Sequence, residues 1–293
     1  MAFIGHSELL LNKDGSIYHL NLFPDEIAKN ILLVGDPGRV PMVSAYFDSI
    51  EVKKQNREII SHTGFYKGLP VTVMSTGMGT DNIDIVLNEI DALFNIDLVK
   101  REAKTTHTSL NIVRIGTSGA LQGGIPPDST VVSSYGLGLD GMLYYYRNLD
   151  MVMDHNLTEA FITKAKWPSV LPTPYIVEGS SRLLTMLGDG FIKGITATAP
   201  GFYGPQGRKL RLNTYMEDLN ERLAAFEYHG KTICNFEMET SALYGLSKMM
   251  GHHALTLTNI VANRVDKTHT LNYKESMEKL IITVLDRLSN VKK

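Results

Sequence analysis

The chain has 293 residues, of which 43% are hydrophobic and 20% charged, too apolar for a disordered polymer and near the upper size of a single hydrophobic core. With 29 Lys+Arg against 31 Asp+Glu the formal charge is -2, so there is no global basic field to favour nucleic acid or an anionic membrane as partner. The one cysteine, Cys234, excludes an internal disulfide and a zinc site built on paired cysteines, and fits a reducing compartment, with the cytoplasm as the expected location. The first residues carry no basic start or apolar run of the signal-peptide kind, and apolar windows such as 254–262 fall well short of the ~20 residues needed to cross a bilayer.

In chain order, β-branched apolar runs at 31–34, 71–75, 112–115, 130–134, 194–199 and 255–262 read as buried strands. Between them, 82–94 places Ile83, Val86, Leu87, Ile90 and Leu93 on one helical face, with Asp81 or Asn82 as cap, and 236–250 and 273–288 repeat the helical pattern. Polar residues 95–109 read as a solvated extension of the preceding helix, and 135–174, with Gly136, Gly138 and Gly141, as a long irregular connection. Without repeats or a linker-like tract, residues 1–293 are expected to form one α/β domain. Its core is a central mixed, mostly parallel, twisted β-sheet flanked by helices, with ligands near the carboxyl ends of the strands.

Three strand exits are glycine-rich: Gly35-Asp36-Pro37-Gly38-Arg39, Ser75-Thr76-Gly77-Met78-Gly79-Thr80 and Arg114-Ile115-Gly116-Thr117-Ser118-Gly119. Glycine lets backbone N–H groups approach an anion, and an arginine beside it invites phosphate, although the first turn reads equally well as an ordinary strand-to-helix turn with a solvated arginine. Arg114 is the informative residue, because a charge in a buried strand must either meet a carboxylate or await an anionic ligand. None of the turns is the G-x-x-x-x-G-K-[ST] cradle of a nucleoside triphosphatase, and Gly136-Leu137-Gly138-Leu139-Asp140-Gly141 lacks the following helix of a dinucleotide site.

The segment 235–239 reads as a helix start with two carboxylates, Glu237 and Glu239, pointing in different directions. Residues 202–208 bring an aromatic, an amide and a guanidinium (Phe202, Gln206 and Arg208) into one loop, a set that suits a planar base. The nine histidines form no H-E-x-x-H pattern, and His252-His253 read as a helix-to-strand turn, so no catalytic metal is expected. Cys234 reads as packed, and Ser118 and Ser133 lie outside any G-x-S-x-G elbow.

Taken in order, the Gly35–Arg39 turn, the Arg114–Gly119 strand exit, the 202–208 loop and Phe236-Glu237-Met238-Glu239 resemble the nucleoside phosphorylase family whose members include uridine phosphorylase. The resemblance runs from about Tyr18 to Leu288 and is weakest over 95–109 and 135–174. It implies a nucleoside phosphorylase-like fold in which Gly35, Arg39, Arg114 and Thr117 hold inorganic phosphate, with Arg57 lent by a neighbouring subunit. It implies that Met238 and Glu239 meet the ribose, with His19 lent across a homodimer, and that Phe202, Gln206 and Arg208 recognise uracil. Thr76, Gly77, Gly116, Glu237 and Arg264 stand as supporting residues.

The implied activity is reversible conversion of uridine and phosphate to uracil and ribose 1-phosphate, a pyrimidine-salvage step, without metal or organic cofactor. A purine nucleoside phosphorylase and a non-catalytic nucleoside-binding paralogue are the alternatives. The stretch Ala262-Asn263-Arg264-Val265 stands where purine-cleaving relatives place an aspartate, with Asp266 close by as a possible acid. Thr80-Asp81-Asn82 departs from the Pro-Ser pair near a monovalent-cation site, which leaves such a site open, as is the choice between a dimer and a hexamer.

Overall fold

The computed structural model describes residues 3–290. In chain order, β1 (Asn30–Val34) leads into the short helix α1 (Arg39–Ser44). Strands β2 (Ser49–Asn56), β3 (Ile59–Tyr66) and β4 (Leu69–Ser75) form a meander before α2 (Thr80–Asn95). The hairpin β5 (Ile96–Asp97) and β6 (Glu102–Ala103) precedes the long strands β7 (Asn111–Ala120) and β8 (Thr130–Gly138). Then come α3 (Leu149–Val152), α4 (His155–Lys164), β9 (Tyr175–Glu178), α5 (Ser181–Leu187) and β10 (Ile192–Thr198). The chain ends with α6 (Leu219–Ala224), β11 (Glu227–Tyr228), β12 (Lys231–Glu237), α7 (Thr240–Met249), β13 (His253–Asn263), β14 (Thr268–His269) and α8 (Lys274–Ser289).

The main sheet is mixed. β1 runs parallel to β4 and β7, β7 parallel to β13, and β8 and β12 parallel to β10, whereas β13 meets β8 antiparallel. Part of the twisted sheet curls into a ring, closed where β12 pairs antiparallel with β7 at Phe236 and Gly119. Side chains alternate across it as pleating demands: Ile31, Leu33 and Ile112 join one core beneath α2 and α7, while Leu32, Val34, Val113 and Ile115 join another beneath α8. α2 buries Ile83, Val86, Leu87, Ile90 and Leu93, the predicted face.

The ring interior is polar. Asn235 of β12 donates to Ser118 Oγ of β7 (2.8 Å) and Thr258 Oγ1 of β13 (3.0 Å), and its Oδ1 accepts from Thr196 of β10 (2.8 Å). Thr196 Oγ1 lies 2.5 Å from Ser133 Oγ of β8. Each ring strand thus contributes one buried side chain to a single hydrogen-bonded cluster, which is how polar groups are tolerated there.

Four expectations are corrected. The stretch 236–250 is not one helix: β12 continues through Glu237 because it is paired on both sides, and α7 begins only at Thr240. α2 is capped by neither Asp81 nor Asn82; Gly79 takes the N-cap with φ 100°, a conformation that disfavours a side chain. Residues 95–109 leave the helix as a hairpin rather than prolonging it, and Arg101 is buried there, donating to the carbonyls of Ile4 (3.0 Å), Gly5 (3.1 Å) and Leu9.

Finally, 135–174 is not wholly irregular, since β8 runs to Gly138 and α3 and α4 follow. A Cβ at Gly136 would lie 2.9 Å from the Ser241 backbone, and one at Gly138 would lie 2.1 Å from the Tyr175 ring. Those glycines serve packing, which accounts for the dinucleotide-like spacing.

Candidate active site

The strand exits of β1 and β4 meet: Gly77 N–H donates to Gly35 C=O at 3.1 Å, and Thr76 N–H to Val34 C=O at 2.8 Å. A Cβ at Gly35 would sit 3.4 Å from Gly77 O and 4.0 Å from Arg114 Nη2, and one at Gly77, where φ is 75°, would collide with Asn82 Nδ2. The two turns therefore bring bare backbone close to the Arg114 guanidinium. Arg114 lies in register with Leu33 of β1 and Thr256 of β13, which fixes it in the sheet.

Arg114 and Arg39 are both buried. Arg39 Nη1 donates to Ile115 C=O at 3.3 Å, and burial lowers its pKa, with the charge of Arg114 adding to the effect. Arg114 Nη2 donates to Glu239 Oε2, and its Nη1 stands 3.4 Å from Glu237 Oε2. Its Nε and Nη1 nevertheless have no hydrogen-bond partner. Burial raises the pKa of Glu239, against the opposing pull of Arg114, and Glu239 Oε1 accepts from Gly79 N–H at 2.7 Å.

Glu237 accepts from Thr198 Oγ1 (2.7 Å) and from the backbone N–H groups of Glu239 and Thr240 (3.0 Å each). The two carboxylates thus converge on one guanidinium instead of diverging, because Glu237 ends a strand and Glu239 starts the turn into α7. Half-buried Met238 lies between them. Gly116 is needed for this arrangement, since a Cβ there would lie 2.1 Å from Arg114 Nη1. Thr117, half-buried, sits farther along β7 opposite Asn259.

The 199–208 loop starts beside this cluster, where Ala199 N–H donates to Glu237 C=O at 2.9 Å. Arg208 stacks on Phe202, its Cζ 3.6 Å from the ring centroid, and donates to Gln206 Oε1 at 2.6 Å. Gln206 is buried and Phe202 half exposed. Burial and the nearby Arg264 push the Arg208 pKa down to about 10. Arg264 is anchored through its N–H to Ala120 C=O at the end of β7 (3.0 Å), and its Nη2 is buried with no hydrogen-bond partner. Asp266 is committed elsewhere, accepting from Gly124 N–H at 2.9 Å and Asn263 Nδ2 at 3.0 Å.

Two residues stand apart. Arg57 is exposed at the β2–β3 turn with φ 53°, and His19 Nδ1 is 2.5 Å from Glu89 Oε1 on α2. Among the described residues, no hydrogen bond or ion pair links either of them to Arg114, Glu239 or the 202–208 loop. They are neighbours of each other's segments, because Asn56 Nδ2 donates to the carbonyls of Tyr18 (3.2 Å) and His19 (3.0 Å). Sequence reasoning missed the Gly79 amide as a partner of Glu239 and Glu89 as the anchor of His19; the G-x-G spacing of Gly77 and Gly79 was the available signal for the first.

The family profile described as "Phosphorylase superfamily" matches residues 29–290. The chain belongs to that superfamily. A uridine phosphorylase of Thermococcus kodakarensis is 31% identical over 255 residues, covering 86% of this chain and 79% of the relative. A DeoD-type purine nucleoside phosphorylase of Alkaliphilus metalliredigens is 29% identical over 244 residues, covering 83% and 85%. The crystal structure of Trypanosoma brucei nucleoside phosphorylase, which shows uridine phosphorylase activity, superposes with a TM-score of 0.87 at 32% identity, over 96% of this chain and 99% of that one. This superfamily member therefore has relatives of both base classes.

Proposed function

We propose that this chain catalyses the reversible phosphorolysis of uridine to uracil and ribose 1-phosphate, a transfer of the pentosyl group to inorganic phosphate that serves pyrimidine salvage. The observation that carries it is the buried Arg114, which holds Glu239 with Nη2 and pairs with Glu237 while its Nε and Nη1 make no hydrogen bond. One guanidinium then joins an oxyanion to the carboxylate that grips the ribose hydroxyls. Arg39, Thr117 and the Gly35 turn complete the phosphate site, with Thr76, Gly77 and Gly116 keeping its walls clear and Arg57 supplied by a neighbouring subunit.

Cleavage of the N-glycosidic bond places positive charge on the ribose ring and negative charge on the departing base, so positioning and electrostatics supply most of the catalysis. Phosphate attacks C1′ from below. Glu239, beside Met238 and supported by Glu237, fixes the sugar from its own subunit, and His19 of a second copy reaches it across a homodimer. Gln206 pairs with the imide edge of uracil, Phe202 covers its face, and Arg208, with Arg264 behind it, disperses charge onto a carbonyl oxygen.

In this reading no metal or organic cofactor takes part, and the cytoplasm is the site of action. Asp266 Oδ2 accepts from Gly124 N–H and Asn263 Nδ2, engaging that carboxylate in its own turn, which supports the pyrimidine assignment over its purine sister. The test is to assay uridine and inosine side by side, with and without phosphate. Uracil release that requires phosphate and outpaces inosine cleavage is expected. Faster inosine cleavage overturns the base assignment, phosphate-independent release means a hydrolase, and tight uridine binding without release means a sensor.

A further inference from the structure

At the amino-terminal ends of β7 and β13, where His253 N–H donates to Leu110 C=O at 2.9 Å, three side chains from separate segments gather. Asp91 comes from the last turns of α2, His107 from the link into β7, and His252 from the turn between α7 and β13. One ligand-competent atom from each lies within 4.8 Å of the others. His252 Nε2 is 3.1 Å from Asp91 Oδ1, and the two imidazoles stack with centroids 5.5 Å apart. None of these residues belongs to the phosphorolysis site.

We propose that Asp91, His107 and His252 form a binding site for a divalent transition ion of the Zn2+ class. Two neutral imidazoles and one carboxylate are the donor set such an ion prefers, and they bring a single negative charge to meet it. Ligand atoms about 2.0–2.1 Å from a tetrahedral ion stand ~3.4 Å apart, so the Asp91–His252 pair is already spaced for it and only a small movement of exposed His107 completes the set. His107 Nε2 must carry the proton, since its partner is the Met250 carbonyl at 2.8 Å, and Nδ1 therefore keeps the lone pair. Water takes the remaining position on the exposed side.

A plain Asp91–His252 hydrogen bond accounts for less. It gives no reason for a second imidazole to lie against the first. The surroundings are cross-tied as outer-shell contacts of a metal site are. Asn95 Nδ2 donates to Asp91 Oδ1 (2.7 Å), while Asn95 Oδ1 accepts from Thr108 N–H (2.7 Å), coupling the carboxylate to the residue after His107. Ser109 Oγ donates to Gly251 C=O (2.7 Å), coupling the His107 link to the His252 turn.

The test uses tag-free, EDTA-treated full-length protein titrated with Co2+ alone, followed by visible absorption and by bound metal after equilibrium dialysis. The wild type is expected to take up one Co2+ per chain with bands of a four- or five-coordinate ion, and to melt at a higher temperature when loaded. His107→Ala, which alters an exposed side chain, is expected to weaken binding at least about tenfold while keeping uridine turnover. Asp91→Asn gives a second, independent reading of the same loss. No uptake by the wild type, or unchanged Co2+ affinity in His107→Ala, overturns the proposal.

Discussion

Arg114 is held by two carboxylates and by the absence of a side chain at Gly116. The pinned Nη2 prevents the guanidinium from swinging aside, so a methyl group 2.1 Å from Nη1 has to displace the whole arginine. Gly116→Ala is therefore expected to cost about 1–3 kcal/mol of stability through overpacking. It is also expected to raise the KM for phosphate at least about tenfold, equivalent to ~1.4 kcal/mol of binding. Initial rates against phosphate at saturating uridine read this directly, and an unaltered KM would remove Arg114 from the proposed phosphate site.

Among the elements, the five ring strands share a hydrogen-bonded polar interior in addition to their ladders. Asn235 is the hub, giving two hydrogen bonds and receiving one across β7, β13 and β10. Asn235→Ala leaves buried hydroxyls of Ser118, Thr258 and Thr196 short of partners, and unsatisfied buried groups cost about 1–3 kcal/mol each. Urea denaturation is expected to show a loss of at least about 2 kcal/mol with the m-value retained; an unchanged midpoint would mean that the network contributes nothing. The sequence placed the apolar centres of six strands well, because β-branched runs mark buried strands. Among the longer strands it missed β2, β3 and β12, whose mixed or polar patterns make sense only beside their partners, and the short apolar β9.

For the molecule as a whole, Asn56 ties the segment carrying His19 to the turn carrying Arg57, so the two residues assigned to a neighbour's site leave the chain from one surface. In the proposed homodimer that surface lies over the Arg114–Glu239 cluster of the second copy. Arg57→Ala and Glu239→Gln are each expected to be nearly inactive alone. Unfolded together and co-refolded, they are expected to recover about a quarter of wild-type activity, because half the dimers are mixed and one of the two sites in each is intact. No recovery in mixed dimers verified by mass spectrometry would place Arg57 in its own subunit's site.

The amino-acid order by itself determined the glycine turns after β1 and β4, the amphipathic faces of α2 and α8, and the presence of an arginine in an apolar strand. These are local properties, fixed by backbone freedom and by periodicity. Only the tertiary structure decided that Glu237 and Glu239 meet the same guanidinium, that Asn235 is in a core strand and not at a helix start, and that Gly136 and Gly138 make room for α7 and Tyr175. Each of those outcomes depends on which strand lies beside which, and hydrogen-bond partners that far apart in the chain are chosen by packing, not by neighbouring residues.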